Sequence, residues 1–547
     1  RPKHEIARVS ELLQAQLLQP LSGAPIQPML AETTLNAPDG SGPSELGFNE
    51  YSSLFYRDDT RLQVSGLVGS DDEAGNEVVL SGMQGSIAYS LAQYHYENDG
   101  WRYNNDQDHE LYTAFLQANL TERTRVQFEA RRSRREYGRL ETGFYSAQNN
   151  QLERNSSDQD SLRLGLYHRF NPRSELIGSI AVAEQEGGSY SYVDGDLPPP
   201  LASLSMGLDG EHDAWSFELR QLLRLDRARI SLGIGYVETE EDIVITRTLT
   251  TIPLPFVPIV TTARSAIDDT WHQANAYLYS AIDLNPDLTL DLGVSYEALS
   301  QDGFKKRRLN PKFGLLWQAS PNTTLRIAGF RTLFRKLPMN QTIEPSQVAG
   351  FNQFFNGIQG TLTTRYGVAL DHRFSNRLFG GLELSRRDLD VPVRAIEPTG
   401  VRWTQSTRDE EEGRLYLYWT PTQRLSLGAE YIFERSYRDS STTSMEDTTH
   451  RFPLSLGYYH PSGWSGSLRP TYVHQYGQFD GVSEKDDSDR FWNVDLSLDY
   501  RLPKRRGRIS LEVQNMLDET FNYKENDNAL LLFRGARGLS LRVSLGF

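Results

Sequence analysis

The chain contains no cysteine, which excludes a disulfide framework, a thiolate metal site and a cysteine nucleophile. Long hydrophobic runs are missing too. A transmembrane helix needs roughly 18 or more consecutive apolar residues, and no stretch of this sequence approaches that length. A helical membrane protein is therefore excluded. Cations are in deficit, with 57 Lys and Arg against 72 Asp and Glu and a formal charge of −15. That balance argues against nucleic acid as a partner, because a phosphate backbone rewards clustered Lys and Arg. None of the ten His falls in an H-E-x-x-H motif, since His4-Glu5 and His109-Glu110 lack the second His. A G-x-S-x-G elbow and a Walker A loop are also missing. The sequence points to no enzyme, no resident cofactor and no metal centre.

Aromatic residues are plentiful, with 27 Tyr and 24 Phe, and period-two alternation runs through most of the chain. The last nine residues show it clearly: Leu539, Leu541, Val543, Leu545 and Phe547 alternate with Ser540, Arg542, Ser544 and Gly546. Alternate side chains of a strand face opposite ways. Leu288, Leu290, Leu292, Val294 and Tyr296 alternate in the same way with Thr289, Asp291, Gly293, Ser295 and Glu297, and Trp492 to Tyr500 repeats the design. Polar residues at every inward position would be costly in a sandwich core but are expected where that face lines a hydrated lumen. A barrel also escapes the helix criterion, since each crossing takes only about 9 to 11 tilted residues.

Turns carry a second signal. Short reversals such as Asn171-Pro172-Arg173, Asn285-Pro286-Asp287, Ser320-Pro321-Asn322 and Ser375-Asn376-Arg377 have the chemistry of tight turns. Longer polar connections lie between them, around residues 98–109, 137–159, 187–211, 241–267, 335–360, 391–406, 437–448, 477–488 and 520–536. Strict alternation of short and long connections is the asymmetry of an outer-membrane barrel, with short turns in the periplasm and long loops outside. The fold expected is all-β, a transmembrane antiparallel β-barrel of about 22 strands, preceded by a short N-terminal helix and linker. Residues 61–547 form the barrel. Within residues 1–60, Pro2 to Gln19 is the helix, with Ile6, Val9, Leu13 and Leu17 on one face, and residues 21–46 form a Pro- and Gly-rich linker. The chain opens at Arg1 without an initiator Met or a signal-peptide pattern, so the expectation is a mature or trimmed portion of a longer precursor.

Several clusters have both a functional and a structural reading. Arg131, Arg132, Arg134 and Arg135 could form a basic constriction in the lumen, or pair with carboxylates and with lipopolysaccharide phosphate at the rim. Asp409-Glu410-Glu411-Glu412 and Asp486-Asp487-Ser488-Asp489 offer hard oxygen ligands for Ca²⁺, but neither has EF-hand spacing, which favours solvated loop charge. The segment from Ile243 to Thr262 is unusually apolar for a loop. Its residues Ile252, Leu254, Phe256, Val257 and Ile259 suit a periplasmic or extracellular protein partner. The same segment could instead extend the wall as a hairpin or fold inward over the pore, and its prolines argue against one continuous strand.

The stretch Arg308-Leu309-Asn310-Pro311-Lys312-Phe313-Gly314-Leu315-Leu316-Trp317, followed by Thr323-Thr324-Leu325-Arg326, resembles the mid-barrel hairpin of TonB-dependent outer-membrane receptors. Val513-Gln514-Asn515-Met516-Leu517-Asp518-Glu519-Thr520-Phe521 is similar to their penultimate-strand signature. Leu541, Val543, Leu545 and Phe547 resemble the terminal signal read by the barrel-insertion machinery. The resemblance covers residues 61–547 and implies a bacterial outer-membrane location, with the lipid bilayer and lipopolysaccharide as surroundings. Members of the family carry a globular plug and an energy-coupling box ahead of the barrel. The first sixty residues here match neither, and the helix resembles the end of a helical-repeat array. The leading expectation is a transport or export conduit whose N-terminal segment narrows or closes the lumen. The alternatives are a TonB-dependent importer whose plug is missing or supplied elsewhere, and a barrel that anchors a surface assembly.

Overall fold

The computed structural model describes residues 58–145, 152–194, 201–252, 258–337, 342–345, 347–355, 357–397, 400–439, 444–479, 486–525 and 533–547. Alternation along the chain produces one antiparallel sheet of 22 strands. It closes on itself. The first strand, Asp59–Gly69, pairs with the last, Gly538–Gly546, so that Ser65 lies opposite Ser544 and their hydroxyls hydrogen-bond at 2.9 Å. Phe547 adds one more rung by exchanging backbone hydrogen bonds with Leu62.

The two faces of the wall differ as the alternation requires. On the strand Leu152–Asn171, Leu162, Leu164 and Leu166 are exposed, whereas Ser161 and Arg163 are buried. Arg163 is ion-paired with the buried Glu129 of the neighbouring strand Thr124–Tyr137. The apolar band therefore faces outward, and ion pairs line the inside.

At one end of the barrel the turns are short, and the side chains named from the sequence close them. Asn171 Oδ1 accepts the backbone N–H of Arg173 at 2.9 Å, and Asn285 Oδ1 accepts that of Asp287 at 2.9 Å. Ser375 Oγ and Thr422 Oγ1 accept the N–H two residues on, each at 3.2 Å. This is the local bonding that makes Asn, Ser and Thr turn formers.

The opposite end departs from the expected pattern of long loops. Segments around 187–211, 241–267 and 391–406 are largely strand: Ser174–Asp194 pairs with Leu201–Arg224, Ala228–Thr251 with Ile259–Asn285, and Leu378–Glu397 with Gly400–Thr422. Backbone groups beyond a bilayer are satisfied equally well by cross-strand pairing, and the β-branched run from Ile243 to Thr250 favours that pairing. Alternation of short and long connections is also not strict. Gln301–Phe304 reverses through Asp302 and Gly303, with Gly303 at φ 70°. The helix over Pro2 to Gln19, the linker and the proposed boundary at residue 60 lie in or beside residues outside the described set; the first described strand begins at Asp59.

Candidate functional site: a loop folded into the lumen

The connection between the strands Thr323–Leu333 and Leu362–Ser375 does not project outward as an external loop over 335–360 would. Its described residues turn back into the barrel. Gln347–Val348 and Phe351–Asn352 form a small hairpin turned by Ala349 and Gly350, both at positive φ (47° and 81°). Two left-handed residues in sequence match the twist of a tight hairpin. Ala349 is held in this conformation by its N–H, which donates to Asp291 Oδ2 at 2.8 Å. Asp291 stands near the start of the strand Leu288–Gln301, so the hairpin tip reaches toward the short-turn end of the barrel.

The wall is shaped to receive it. Gly367 and Gly314 face the loop. A Cβ on Gly367 would come within 2.4 Å of the Phe351 ring, and one on Gly314 within 2.8 Å of the Ala349 Cβ. Phe351 packs with Ala328, Phe330, Val348 and Ala369. Phe334 and Phe354 pack with Leu389 and Val391, and Ile343 reaches Tyr167 and Ile177. Contacts thus run from the strand Leu152–Asn171 to the strand Leu378–Glu397, the sixth to the fifteenth of the barrel.

Charged groups fix the middle of the loop. Glu344 accepts from Arg335 Nη2 at 2.9 Å, Tyr279 OH at 2.7 Å and Asn275 Nδ2 at 3.1 Å. Glu218 accepts from the Ile343 N–H at 2.8 Å and the Thr342 hydroxyl at 2.5 Å, and Arg220 donates to the Ile343 carbonyl at 2.9 Å. Burial alone would lower the Arg335 pKa, but the surrounding Glu344, Glu297 and Glu218 outweigh it and raise it, so the guanidinium stays charged. Nearer the long-loop end, Lys336 donates to Glu241 at 2.6 Å, and Arg394 bridges Asp269 at 3.0 Å and Glu241 at 3.7 Å. The arrangement is a strap across the lumen, made of apolar plugs in wall notches and a neutralised charge cluster.

Other connections pack over part of the mouth. Phe521, Tyr523 and Phe533 close on Val473 and Phe491, and Phe144 stacks on Phe479 at 3.8 Å. Arg102 donates to the carbonyls of Arg139 and Glu141, and its pKa is lowered to about 10 by burial and by the neighbouring Arg139.

Strand geometry divides the arginine run. Arg132 and Arg134 point outward and are exposed, beside Asp160 at 3.9 Å and Asp158 at 3.7 Å; Arg131 and Arg135 share the inward side with buried Ser133. A four-arginine ring is not formed. The acidic run from Asp409 to Glu412 is strand rather than loop: Glu410 and Glu412 pair inward with Arg387 and Arg365, while Asp409 and Glu411 pair with the exposed Arg386. In the other acidic cluster, Asp489 accepts the Asn522 N–H at 2.6 Å. Ile252 and Ile259 are exposed at the tip of the long hairpin, while Leu254, Phe256 and Val257 lie outside the described residues. Leu541, Val543, Leu545 and Phe547 occupy the closing seam, with Leu541 and Phe547 exposed. Among the described residues one group of three carboxylates, Glu184, Glu186 and Glu211, is close enough to share a cation, and all three are exposed.

The strap was not expected from the sequence, although two signals were available. Residues 334–355 carry four Phe together with Leu337, Ile343 and Val348, which is too apolar for an external loop, and glycines interrupt inward positions of the wall strands.

A closed 22-strand barrel with an outward apolar band, short turns at one end and an inward strap is a large outer-membrane β-barrel of the receptor class. The family model "TonB dependent receptor-like, beta-barrel" matches residues 35–516, and the chain belongs to that family. Among solved structures it is similar to the pyoverdine receptor FpvA of Pseudomonas aeruginosa (14% identity, TM-score 0.64, 90% of this chain and 79% of that one). It is also similar to the iron transporter FrpB of Neisseria meningitidis (13%, 0.64, 90% and 82%). The ferric-catecholate import receptor Fiu of Escherichia coli gives comparable figures (12%, 0.63, 90% and 82%). At these identities the likeness is one of fold. No curated protein matches the sequence. The protein is an outer-membrane barrel, with its short turns on the periplasmic side.

Proposed function

We propose that this barrel is a gated uptake receptor, admitting a chelated metal or a cargo of similar size from outside the cell, rather than an export conduit. The single observation that carries the reading is the strapped lumen within a barrel of this family. An open pore would leave Glu218, Arg335 and Glu344 facing water, whereas here they are buried against one another. Family membership supports uptake over export, since the three solved structures named above are described as an import receptor, an iron transporter and a pyoverdine receptor. The polar lumen wall suits a hydrophilic cargo.

The test is accumulation of radiolabelled iron, presented on catecholate and hydroxamate chelators, in cells that carry this barrel as their sole large receptor. Saturable accumulation abolished by a protonophore is expected. Entry that rises linearly with concentration and ignores the protonophore would make the barrel a passive conduit.

A further inference from the structure

We propose that the free edge of the strand Ile259–Asn285, above the membrane, docks a basic segment of another polypeptide, which adds to the wall as one more strand. The proposal does not depend on the uptake reading. Residues 259–282 pair with Ala228–Thr251 on one side. On the other side, pairing with Leu288–Gln301 starts only at His272, opposite Ser300. That neighbour turns back through Asp302 and Gly303, so among the described strands none borders residues 259–271 there. The position of the edge follows from the rungs. Leu162, Val182, Trp215, Glu238 and His272 share one rung at the top of the apolar band, and the free edge rises outward from it.

Solvent-exposed edges are normally guarded by Pro, Lys, a bulge or shortness. Residues 259–271 have none of these. They read Ile-Val-Thr-Thr-Ala-Arg-Ser-Ala-Ile-Asp-Asp-Thr-Trp, pair with Ala228–Thr251 without a register shift, and leave Val260 63% exposed. The other tall hairpin is guarded. Pairing of Leu378–Glu397 with Leu362–Ser375 ends at Asp390, and Pro392 follows, with no N–H to offer. A long row of alternating N–H and C=O groups is matched by an extended polypeptide, which makes the guest a strand.

The face beside the edge sets the charge of that strand. Asp158, Glu186, Glu211, Asp242 and Asp268 stand on one rung across five strands, all outward and exposed. Among the described ion pairs, only Asp158 of the five has a cation, Arg134 at 3.7 Å. Like charges directly opposite each other destabilise a sheet. Asp268 ends the row and is open on the side where the guest lies, so a Lys or Arg beside it relieves the repulsion. A second copy of this chain fits less well. Upright in the same membrane it offers this strand only in parallel, and it carries the same charge of −15.

The test is fluorescence anisotropy of a labelled short peptide of alternating Lys and Thr, with the full chain in vesicles of lipopolysaccharide and phospholipid at physiological salt. Saturable binding is expected, and none for the peptide with Glu in place of Lys. Lysines and threonines of the docked peptide face opposite ways, so the amides of one set alone meet the edge. N-methylating that set should weaken binding by about tenfold or more, and methylating the other set should not. Asp242→Asn with Asp268→Asn should also weaken it, whereas Arg264→Thr, which removes the one cation of the edge, should strengthen it. Heat-modifiable migration shows that each variant is a closed barrel. No saturable binding, equal binding of the two methylated peptides, or undiminished binding by the Asp variant would overturn the proposal. So would binding in detergent that vanishes in the vesicles, which would give the acidic wall to lipopolysaccharide. Disulfide-linked dimers of Ala266→Cys in outer membranes would give the edge to a second copy instead.

Discussion

Arg335 and Glu344 face each other at 2.9 Å with side-chain exposures of 1% and 0%, and both belong to a loop that enters the barrel rather than to the barrel itself. A pair so thoroughly removed from water is held by its setting, and disturbing one partner leaves the other uncompensated.

Arg335→Met should therefore undock the strap. Breaking one half of a buried pair costs about 3–5 kcal/mol, and here the loss falls on the docked loop, since the sheet does not depend on it. Limited proteolysis should cut within residues 334–361 of the variant and spare the parent protein. Heat-modifiable migration on gels, which reports the closed barrel, should stay unchanged. Arg335→Met combined with Glu344→Leu should recover much of the protection.

Gly367→Val places atoms where the Phe351 ring lies, since even a Cβ would approach it to 2.4 Å. Overpacking of this kind costs about 1–3 kcal/mol, and hydrogen exchange across residues 347–352 should accelerate. Gly66→Ala, where a Cβ meets nothing within 4 Å, should leave exchange unaltered.

The outward face gives a depth-dependent prediction. Leu166 is exposed on the apolar band, and Leu166→Arg should cost about 2–4 kcal/mol if it lies at the bilayer midplane, read as a lower urea midpoint for refolding into vesicles. Arg132→Ala should shift that midpoint little, because its 3.9 Å contact with Asp160 is between exposed groups and such pairs contribute about 0–1 kcal/mol.

Phe547→Ala should lower the amount of barrel inserted in cells without lowering the stability of what is inserted. Its backbone pairs with Leu62, while its side chain is 72% exposed and adds little packing. Quantified outer-membrane fractions and thermal melts of the purified protein check the two halves separately.

Most of the wall was legible in the sequence because its rule is local. Period-two alternation at Leu288 to Glu297 assigns a face to every residue, and Asn171, Asn285 and Ser375 close their own turns through hydrogen bonds two residues long. What was not legible is set by partners far along the chain. The four arginines from 131 to 135 read as one basic patch until strand alternation sends Arg132 and Arg134 outward. The run from Asp409 to Glu412 reads as solvated charge until Arg365, Arg386 and Arg387 stand opposite. The strap is the extreme case. Glu344 reaches its strand partners Tyr279 and Asn275 across separations of 65 and 69 residues, which no local pattern announces; the Phe residues of the segment signal burial but not against which strands.

The position of the strap inside the lumen is the claim on which the rest depends, and oxidative cross-linking in intact outer membranes tests it most directly. With Gly314→Cys and Val348→Cys in one chain, a mild oxidant should close the disulfide as completely as in the reference pair Ser65→Cys and Ser544→Cys, whose native hydroxyls lie 2.9 Å apart across the closing seam. Closure of the reference pair with no closure between positions 314 and 348 would place the loop outside the barrel and contradict the account.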